Sequence, residues 1–235
     1  MKRHLNEFFY WGGLPEILSF KNKRAMLSSL YQKIYLGDIC ARNNIKNDRV
    51  MNILVKKMAE SVKQPLSFNR LRNVIVSTGS PISVPTAIDY VGFAADGWLI
   101  LPIENEMGKL TEKESKKKYY FVDNGLLNLF LMNSESSLLE NVVAVELCRR
   151  YGKLNVFFQN AEKEIDFIVP NEKLAIQVSY SIKEEATYNR EVAPLVKYAK
   201  AHEEWKCLLI TYDEEDTEGG IPVVPVWKWL VKYDS

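Results

Sequence analysis

The chain has 235 residues, of which 47% are hydrophobic and 26% charged, the balance of an ordinary globular protein. A net charge of +1 excludes a strong overall attraction to nucleic acid or anionic membranes, so any basic surface must be local. The three cysteines are widely spaced and form neither a metal-binding pattern nor a disulfide framework. The N-terminus lacks the apolar core of a signal peptide, and no apolar run reaches membrane-spanning length. We therefore expect a cytoplasmic protein that does not associate with membranes.

Residues 1–47 are predicted to form a helical segment. Gly12 and Gly13 indicate a turn, and the aromatic residues just before them are expected to be buried anchors. A helix is predicted over residues 25–40, where apolar side chains recur at helical spacing. Because this helix is too small to hold a core alone, we expect it to pack on another part of the chain.

Residues 48–123 have the pattern of three helices followed by a two-stranded ribbon, which predicts a winged helix-turn-helix. A polar, lysine-rich stretch at residues 111–118 separates the two strands. The predicted elements are helices at 48–61, at 68–76 with Ser67 as N-cap, and from Ser83 or Pro85 to about 93, and strands at 98–103 and 119–122.

Residues 124–235 are predicted to form an α/β domain. Hairpin loops at 161–163 and 170–172 separate its first three strands, and an acidic loop at 213–218 precedes the last strand. The predicted elements are helices at 137–151, 183–202 and 227–231, and strands at 156–159, 164–169, 174–179, 206–212 and near 223–224.

Six short stretches carry a family resemblance. They are YWGGLPE at 10–16, YLGDI at 35–39, YYFVDNGL at 119–126, LEN at 139–141, EL at 146–147 and EIDF at 164–167. In this order they resemble the C-terminal half, a domain of unknown function, of a family of predicted bacterial and archaeal AAA-type ATPases. The resemblance covers nearly the whole chain. It implies an α+β fold with a helical N-terminal segment, a winged helix-turn-helix and a PD-(D/E)XK restriction-endonuclease-like α/β domain.

The ATPase half of that family is not matched. No Gly-x-x-x-x-Gly-Lys-Ser/Thr loop occurs, and the nearest string, Gly108-Lys109-Leu110-Thr111, lacks the upstream glycine and lies between the predicted wing strands. We interpret this string as a hairpin loop and do not expect ATP binding. The chain is then either a piece of a longer protein or a shortened relative of the family.

The resemblance also implies a set of nuclease residues. In PD-(D/E)XK nucleases one strand supplies Asp, here Asp166, and the next supplies Glu-x-Lys or Gln-x-Lys, here Gln177-Val178-Ser179. Glu140, on the preceding predicted helix, matches the family glutamate. Glu140 and Asp166 are the candidate metal ligands, since Mg²⁺ prefers oxygen ligands and activates water for attack on phosphate.

The lysine of the triplet is missing, and two interpretations remain open. In the first, Lys183 replaces the lost ammonium group, because the hydroxyl of Ser179 brings no positive charge. In the second, Glu140 and Asp166 are remnants that cap, lie in a polar pocket, or pair with a nearby arginine. We favour the second, since a shared architecture does not transmit chemistry.

DNA binding is a third hypothesis. A winged helix usually reads DNA with its third helix, yet residues 83–98 contain no Lys or Arg, and Asp89 and Asp96 would repel phosphate. A solvated lysine-rich loop balanced by glutamates is therefore favoured over a phosphate-binding wing. The candidate phosphate contacts are Arg70 and Arg72 on the second helix and Lys113, Lys116, Lys117 and Lys118 near the wing.

The sequence thus favours a non-catalytic interaction or regulatory half of an ATPase-like protein, with a degenerate nuclease-like domain. A Mg²⁺-dependent nuclease and a DNA-binding module are the alternatives. We expect no cofactor, with Mg²⁺ only in the nuclease alternative, and a protein partner or ATPase domain rather than nucleic acid.

Overall fold

The computed structural model describes residues 2–160, 164–216 and 220–232, and the chain divides into two compact units. Unit 1 comprises Met1–Pro102 and Glu114–Ser134, and unit 2 comprises Ile103–Lys113 and Glu135–Ser235. These units do not test the predicted three-part division at residues 47/48 and 123/124, which stays a prediction.

The described chain is a mixed α/β structure. Its helices are α1 (Lys2–Trp11), α2 (Pro15–Leu18), α3 (Lys23–Gln32), α4 (Asp48–Glu60), α5 (Phe68–Ser77), α6 (Val84–Asp96), α7 (Leu110–Ser115), α8 (Asn124–Asn128), α9 (Glu135–Tyr151), α10 (Glu185–Ala201) and α11 (Val226–Lys232). Its strands are β1 (Leu66–Ser67), β2 (Ile100–Asn105), β3 (Lys116–Phe121), β4 (Phe157–Asn160), β5 (Glu164–Val169), β6 (Leu174–Ser179), β7 (Lys206–Thr211) and β8 (Val223–Pro225). The predicted elements from residue 25 onward are present within a few residues of their expected ends. The helices α1, α2, α7 and α8 were not predicted.

Polar side chains define where the helices of unit 1 begin. Ser67 and Ser83 each accept a hydrogen bond from the backbone N–H three residues later, at 3.2 and 3.1 Å, at the starts of α5 and α6. Asn22 and Asn47 do the same for α3 and α4. Each cap satisfies an N–H group that has no partner within the helix, which confirms Ser67 and Ser83 as helix starts.

The helix predicted over residues 25–40 changes its winding halfway. α3 continues directly into a π-helix, Lys33–Ala41. The hydroxyl of Tyr35 donates to the backbone oxygen of Asp48 at the start of α4. Burial raises the pKa of Tyr35 above its ordinary value, with a further contribution from Cys40, so this phenol stays a protonated donor. The π-helix is thereby tied to the next helix.

The carboxylate of Asp123 joins two distant parts of unit 1. Its Oδ2 accepts from the backbone N–H of Gly13 at 2.8 Å, and its Oδ1 accepts from Gly125 at 2.8 Å and Leu126 at 3.3 Å. Asp123 is therefore the N-cap of α8 and the anchor of the Gly12-Gly13 turn. Burial raises the pKa of Asp123, and the three N–H groups oppose this shift by favouring the charged form.

Two asparagines of α8 donate hydrogen bonds to backbone oxygens at the end of α1. The Nδ2 group of Asn124 donates to the backbone oxygen of Phe9 at 2.9 Å, and that of Asn128 donates to Tyr10 at 3.0 Å. These oxygens lie in the last turn of α1, whose carbonyl groups lack partners within the helix. The contact leaves no room for a side chain at Gly125, where a Cβ would overlap the backbone of Trp11.

Gly125 lies inside α8 and does not have a positive φ. One expectation for these segments needs correction. The aromatic residues before Gly12 are not all buried anchors. Phe9 is buried, whereas Phe8 is 39% exposed.

The strands of unit 1 follow the order β1, β3, β2, and β1 pairs antiparallel with β3. Those of unit 2 follow the order β2, β4, β5, β6, β7, β8. β4, β5 and β6 are antiparallel neighbours, whereas β6, β7 and β8 run parallel. The crossover that makes β6 and β7 parallel contains α10. β5 and β6 form the centre of this sheet.

One face of the central strands of unit 2 packs on α10. Ile168 and Ala175 from the sheet cluster with Val192 and Leu195 from α10. All residues of β6 are buried, and alternate residues of a strand point to opposite faces. α9 also packs on β6, and we infer that it covers the other face. Both faces of β6 are therefore shielded from water.

Two predicted loops lie partly or wholly beyond the described residues. The hairpin loop at 161–163 is outside them, as are residues 217–218 of the acidic loop. The break at 170–172 is a short 3-10 turn, Pro170–Glu172, followed by Lys173 at φ +48°. Within the described ranges, no helix is both long enough and apolar enough to cross a membrane.

The Gly12 contact predicts a specific cost of substitution. Gly12 and Gly79 have nearly the same φ, +81° and +79°, but a Cβ at Gly12 would overlap the Asp123 carboxylate, whereas a Cβ at Gly79 meets nothing within 4 Å. Gly79→Ala should lower the free energy of unfolding by about 1 kcal/mol through backbone strain alone. Gly12→Ala should lower it by roughly 3 kcal/mol, because the Asp123 contacts are also lost. Urea denaturation measures both, and equal losses would contradict the role of Asp123.

Candidate functional site

Asp166 lies buried on β5 and is used to join two strands. Its Oδ2 accepts from the backbone N–H of Val178 at 3.0 Å, and its own N–H donates to Oε1 of Gln177 at 3.2 Å. Both residues are 7% exposed. The sheet therefore brings together two of the residues assigned to the nuclease site. Each of the two side chains accepts a hydrogen bond from a backbone N–H group of the neighbouring strand.

Gln177 connects this pair to α10. Its Nε2 group donates to Oε2 of Glu191 at 2.9 Å, and Oε1 of Glu191 accepts from Nε and Nη2 of Arg190 at 2.9 and 2.7 Å. The Glu191 side chain is 14% exposed, so the contact with Gln177 is largely shielded from water. A hydrogen-bonded chain thus runs from β5 through β6 to α10, and we call Asp166, Gln177 and Glu191 the inter-strand network.

Glu191 was not identified from the sequence. It lies three residues after Tyr188 and four before Leu195, both of which pack in the core of unit 2. A carboxylate on the apolar face of a helix requires a polar partner when it is buried. The position of Glu191 on the apolar stripe of α10 was the signal in the sequence that could have identified it.

Ser179 and Lys183 lie in different surroundings. The hydroxyl of Ser179 donates to the backbone oxygen of Ser181 at 3.0 Å, and Ser181 in turn donates to Glu214 at 2.6 Å. Lys183 is exposed in the irregular segment before α10, and within the described chain its ammonium group forms no ion pair. The structure therefore does not join Lys183 to the inter-strand network by a hydrogen bond or an ion pair.

Glu140 is 3% exposed on α9, beside the fully buried Asn141. A carboxylate at this depth is stable only with polar or charged partners. The nearby arginines pair with a different glutamate: both Arg149 and Arg150 bind Glu146, at 2.7 and 2.6 Å. Burial alone would raise the pKa of Glu146, but the two arginines outweigh it and lower the pKa.

The described residues offer few grouped ligands for a metal ion. Among residues 2–160, 164–216 and 220–232, no three His, Cys, Asp or Glu side chains form a cluster that could hold a metal. Two oxygens of the predicted nuclease residues, Oδ2 of the candidate metal ligand Asp166 and Oε1 of Gln177, already accept backbone N–H groups. The assignment of Glu140 and Asp166 as metal ligands stays a prediction.

The lysines near β3 do not lie together in one solvent-exposed loop. Residues 111–118 form all but the first residue of α7 and the first half of β3. Lys118 is fully buried, so the prediction of a solvated lysine is wrong there. Lys117 lies 3.6 Å from Glu114, as expected for a balanced charge. Lys116 is exposed on β3, and Lys113 is half-buried on α7.

The arginines of α5 differ from each other. Arg70 is exposed, whereas Arg72 donates to the backbone oxygen of Ile82 at 3.4 Å and to Asn73 at 3.0 Å. α6 carries no cation, and its two aspartates are exposed. Binding to DNA through these groups stays a prediction.

Comparison with known proteins gives a family without an assigned activity. A family model described as a domain of unknown function, DUF8612, matches residues 2–137. An uncharacterized protein of Methanocaldococcus jannaschii is 30% identical over 98% of this chain and 56% of its own length. An uncharacterized protein of Haemophilus influenzae is 27% identical over 97% of this chain and 58% of its own length. No solved structure matches. The chain thus spans just over half the length of these curated relatives, and it belongs to the DUF8612 family of unknown function.

Proposed function

We propose that this chain is a non-catalytic interaction or regulatory module of an ATPase-like protein. In this proposal residues 48–123 are a winged helix and residues 124–235 are a restriction-endonuclease-like domain whose active site is degenerate. The observation that carries the proposal is the inter-strand network. Asp166 and Gln177 hold β5, β6 and α10 together, which accounts for both side chains without catalysis.

The element order supports the fold assignment. A helix, α9, precedes three antiparallel strands, and α10 then leads to the parallel strand β7. This order agrees with the architecture that the resemblance implies. Such agreement supports the fold assignment but says little about chemistry, since unrelated functions share folds.

The chemistry of the triplet position supports loss of catalysis. A nuclease needs positive charge near the phosphate or the attacking water. At the lysine position stands Ser179, which brings no charge, and its hydroxyl donates to Ser181. Lys183 is exposed and is not part of the inter-strand network. The proposed module therefore has a scaffold role.

The greater length of the two relatives supports a role beside a further domain. The matched region is 56% and 58% of their lengths, which leaves room for another domain in those proteins. We propose that the module contacts such a domain or a separate protein.

The nuclease alternative is tested by a conservative substitution. Asp166→Asn keeps an oxygen that accepts the Val178 N–H, so the fold should survive, but it removes the charge that a metal needs. Supercoiled plasmid incubated with the wild type and Mg²⁺ or Mn²⁺ should remain intact, as it should with the variant. Agarose gels measure nicking and linearisation, and circular dichroism verifies folding. Cleavage by the wild type that disappears in Asp166→Asn would overturn the proposed function.

The structural role of Gln177 gives a second test. Gln177→Glu restores the carboxylate of the active family but places it 2.9 Å from Oε2 of Glu191 in a largely buried position. We expect a loss of about 2 kcal/mol in the free energy of unfolding at pH 7, from repulsion and the lost hydrogen bond. The loss should shrink as the pH falls, because protonating either carboxylate removes the repulsion.

A charge-swapped double variant is the matched control. Gln177→Glu with Glu191→Gln again places one amide against one carboxylate, so it should be more stable than Gln177→Glu alone. Urea denaturation of both single variants and the double variant at pH 7 and pH 4.5 completes the cycle. Additive effects of the two substitutions would show that the inter-strand network is not energetically coupled.

A further inference from the structure

α6 presents an open apolar face. Its buried side carries Ala87, Val91 and Ala94. On a neighbouring side of the helix Ile88 is 44% exposed, and a Cβ at Gly92 would meet nothing within 4 Å. Residues four apart on a helix lie on the same face, so Ile88 and Gly92 form a shallow apolar strip. An apolar strip around a small residue lets a partner approach the helix backbone closely.

Trp98, just beyond the end of α6, is in a conformation that suits glycine. Its N–H donates to Ala95 at 3.2 Å, and the N–H of Leu99 donates to Ala94 at 3.0 Å, which is the Schellman pattern of a helix end. Trp98 occupies the left-handed position of this pattern at φ +54°, yet it is 69% exposed. The backbone conformation favours glycine there, so a large aromatic that is exposed at this position points to a role in binding.

The negative charge on this surface indicates that its partner is positively charged. Asp89 and Asp96 are exposed on α6, and residues 83–98 contain no Lys or Arg. Such a surface repels phosphate and attracts cations. A lysine or arginine can pair with Asp96 and can also lie against an indole ring such as that of Trp98. Tryptophan is also enriched among residues that dominate binding energy.

We infer that the surface formed by Ile88, Asp89, Gly92, Asp96 and Trp98, the α6 surface, docks a cationic amphipathic helix of a partner protein. Apolar residues of the partner cover Ile88 and Gly92, and its basic residues face the two aspartates. This inference rests on the proposed function of the chain as an interaction module and names the surface and the chemistry of the partner.

Two designed helical peptides of equal length test the charge requirement. Both carry leucine on one face, with lysine on the other face of the first peptide and glutamate on that of the second. Isothermal titration calorimetry at low salt should show binding of the Leu/Lys peptide to the full chain and no binding of the Leu/Glu peptide. Equal binding of both peptides, or binding of neither, would overturn the inference.

Substitutions then locate the site. Trp98→Gly and Asp96→Asn should each weaken binding of the Leu/Lys peptide about tenfold. Asp213→Asn removes an exposed carboxylate from unit 2 and Leu154→Ala trims an exposed apolar side chain there, so both should bind as the wild type does. Unchanged affinity in Trp98→Gly, or equal weakening in Asp213→Asn, would refute docking on the α6 surface.

The stability of Trp98→Gly separates a binding role from a structural one. Glycine relieves the left-handed strain, so a binding residue predicts an equal or higher urea midpoint together with weaker peptide binding. A lower midpoint would assign Trp98 to folding and overturn its role here. The plasmid assay tests the proposed function separately from this inference. Plasmid cleavage that depends on Asp166 would overturn the proposed function. If no cleavage occurs and the peptide does not bind, only the inference about the α6 surface is overturned.

Discussion

A single buried carboxylate organises unit 1. Asp123 accepts three backbone N–H groups, one from the Gly12-Gly13 turn and two from the start of α8. Burial of an unpaired charge is costly, and these three donors stabilise the buried carboxylate. The same contact requires glycine at residue 12, since any Cβ there would displace the carboxylate. Two of the stretches quoted in the sequence analysis, YWGGLPE and YYFVDNGL, thus contact each other through Asp123.

A parallel situation holds in unit 2. Asp166 was predicted from the sequence as a candidate catalytic carboxylate, but its side chain accepts a hydrogen bond from the backbone of the adjacent strand. Gln177 uses both ends of its amide, one toward Asp166 and one toward Glu191. A carboxylate at residue 177 would accept from Asp166 but could not donate to Glu191. The network thus needs an amide at residue 177.

Much of the secondary structure followed from local signals in the sequence. The N-caps Ser67 and Ser83, the strand at 164–169 and the strand at 174–179 depend on residues that are close in the chain. α1 and α8 were missed because they depend on partners far away: α8 has five residues, and its cap and its asparagines act on the N-terminal helix. Glu191 was missed for the same reason, since its partner lies fourteen residues earlier on a strand. Lys118 shows the limit of composition, because a lysine-rich stretch can place one of its members in the interior.

The joint between α1 and α8 also has a consequence for synthesis. Asn124 and Asn128 bind residues 115 and 118 positions earlier in the chain. α1 is synthesised before α8, so its last carbonyl groups gain these partners only after residue 128 has left the ribosome. Contacts of such long range form late and slow folding. The aromatic end of α1 therefore stays without these hydrogen bonds until α8 has been made.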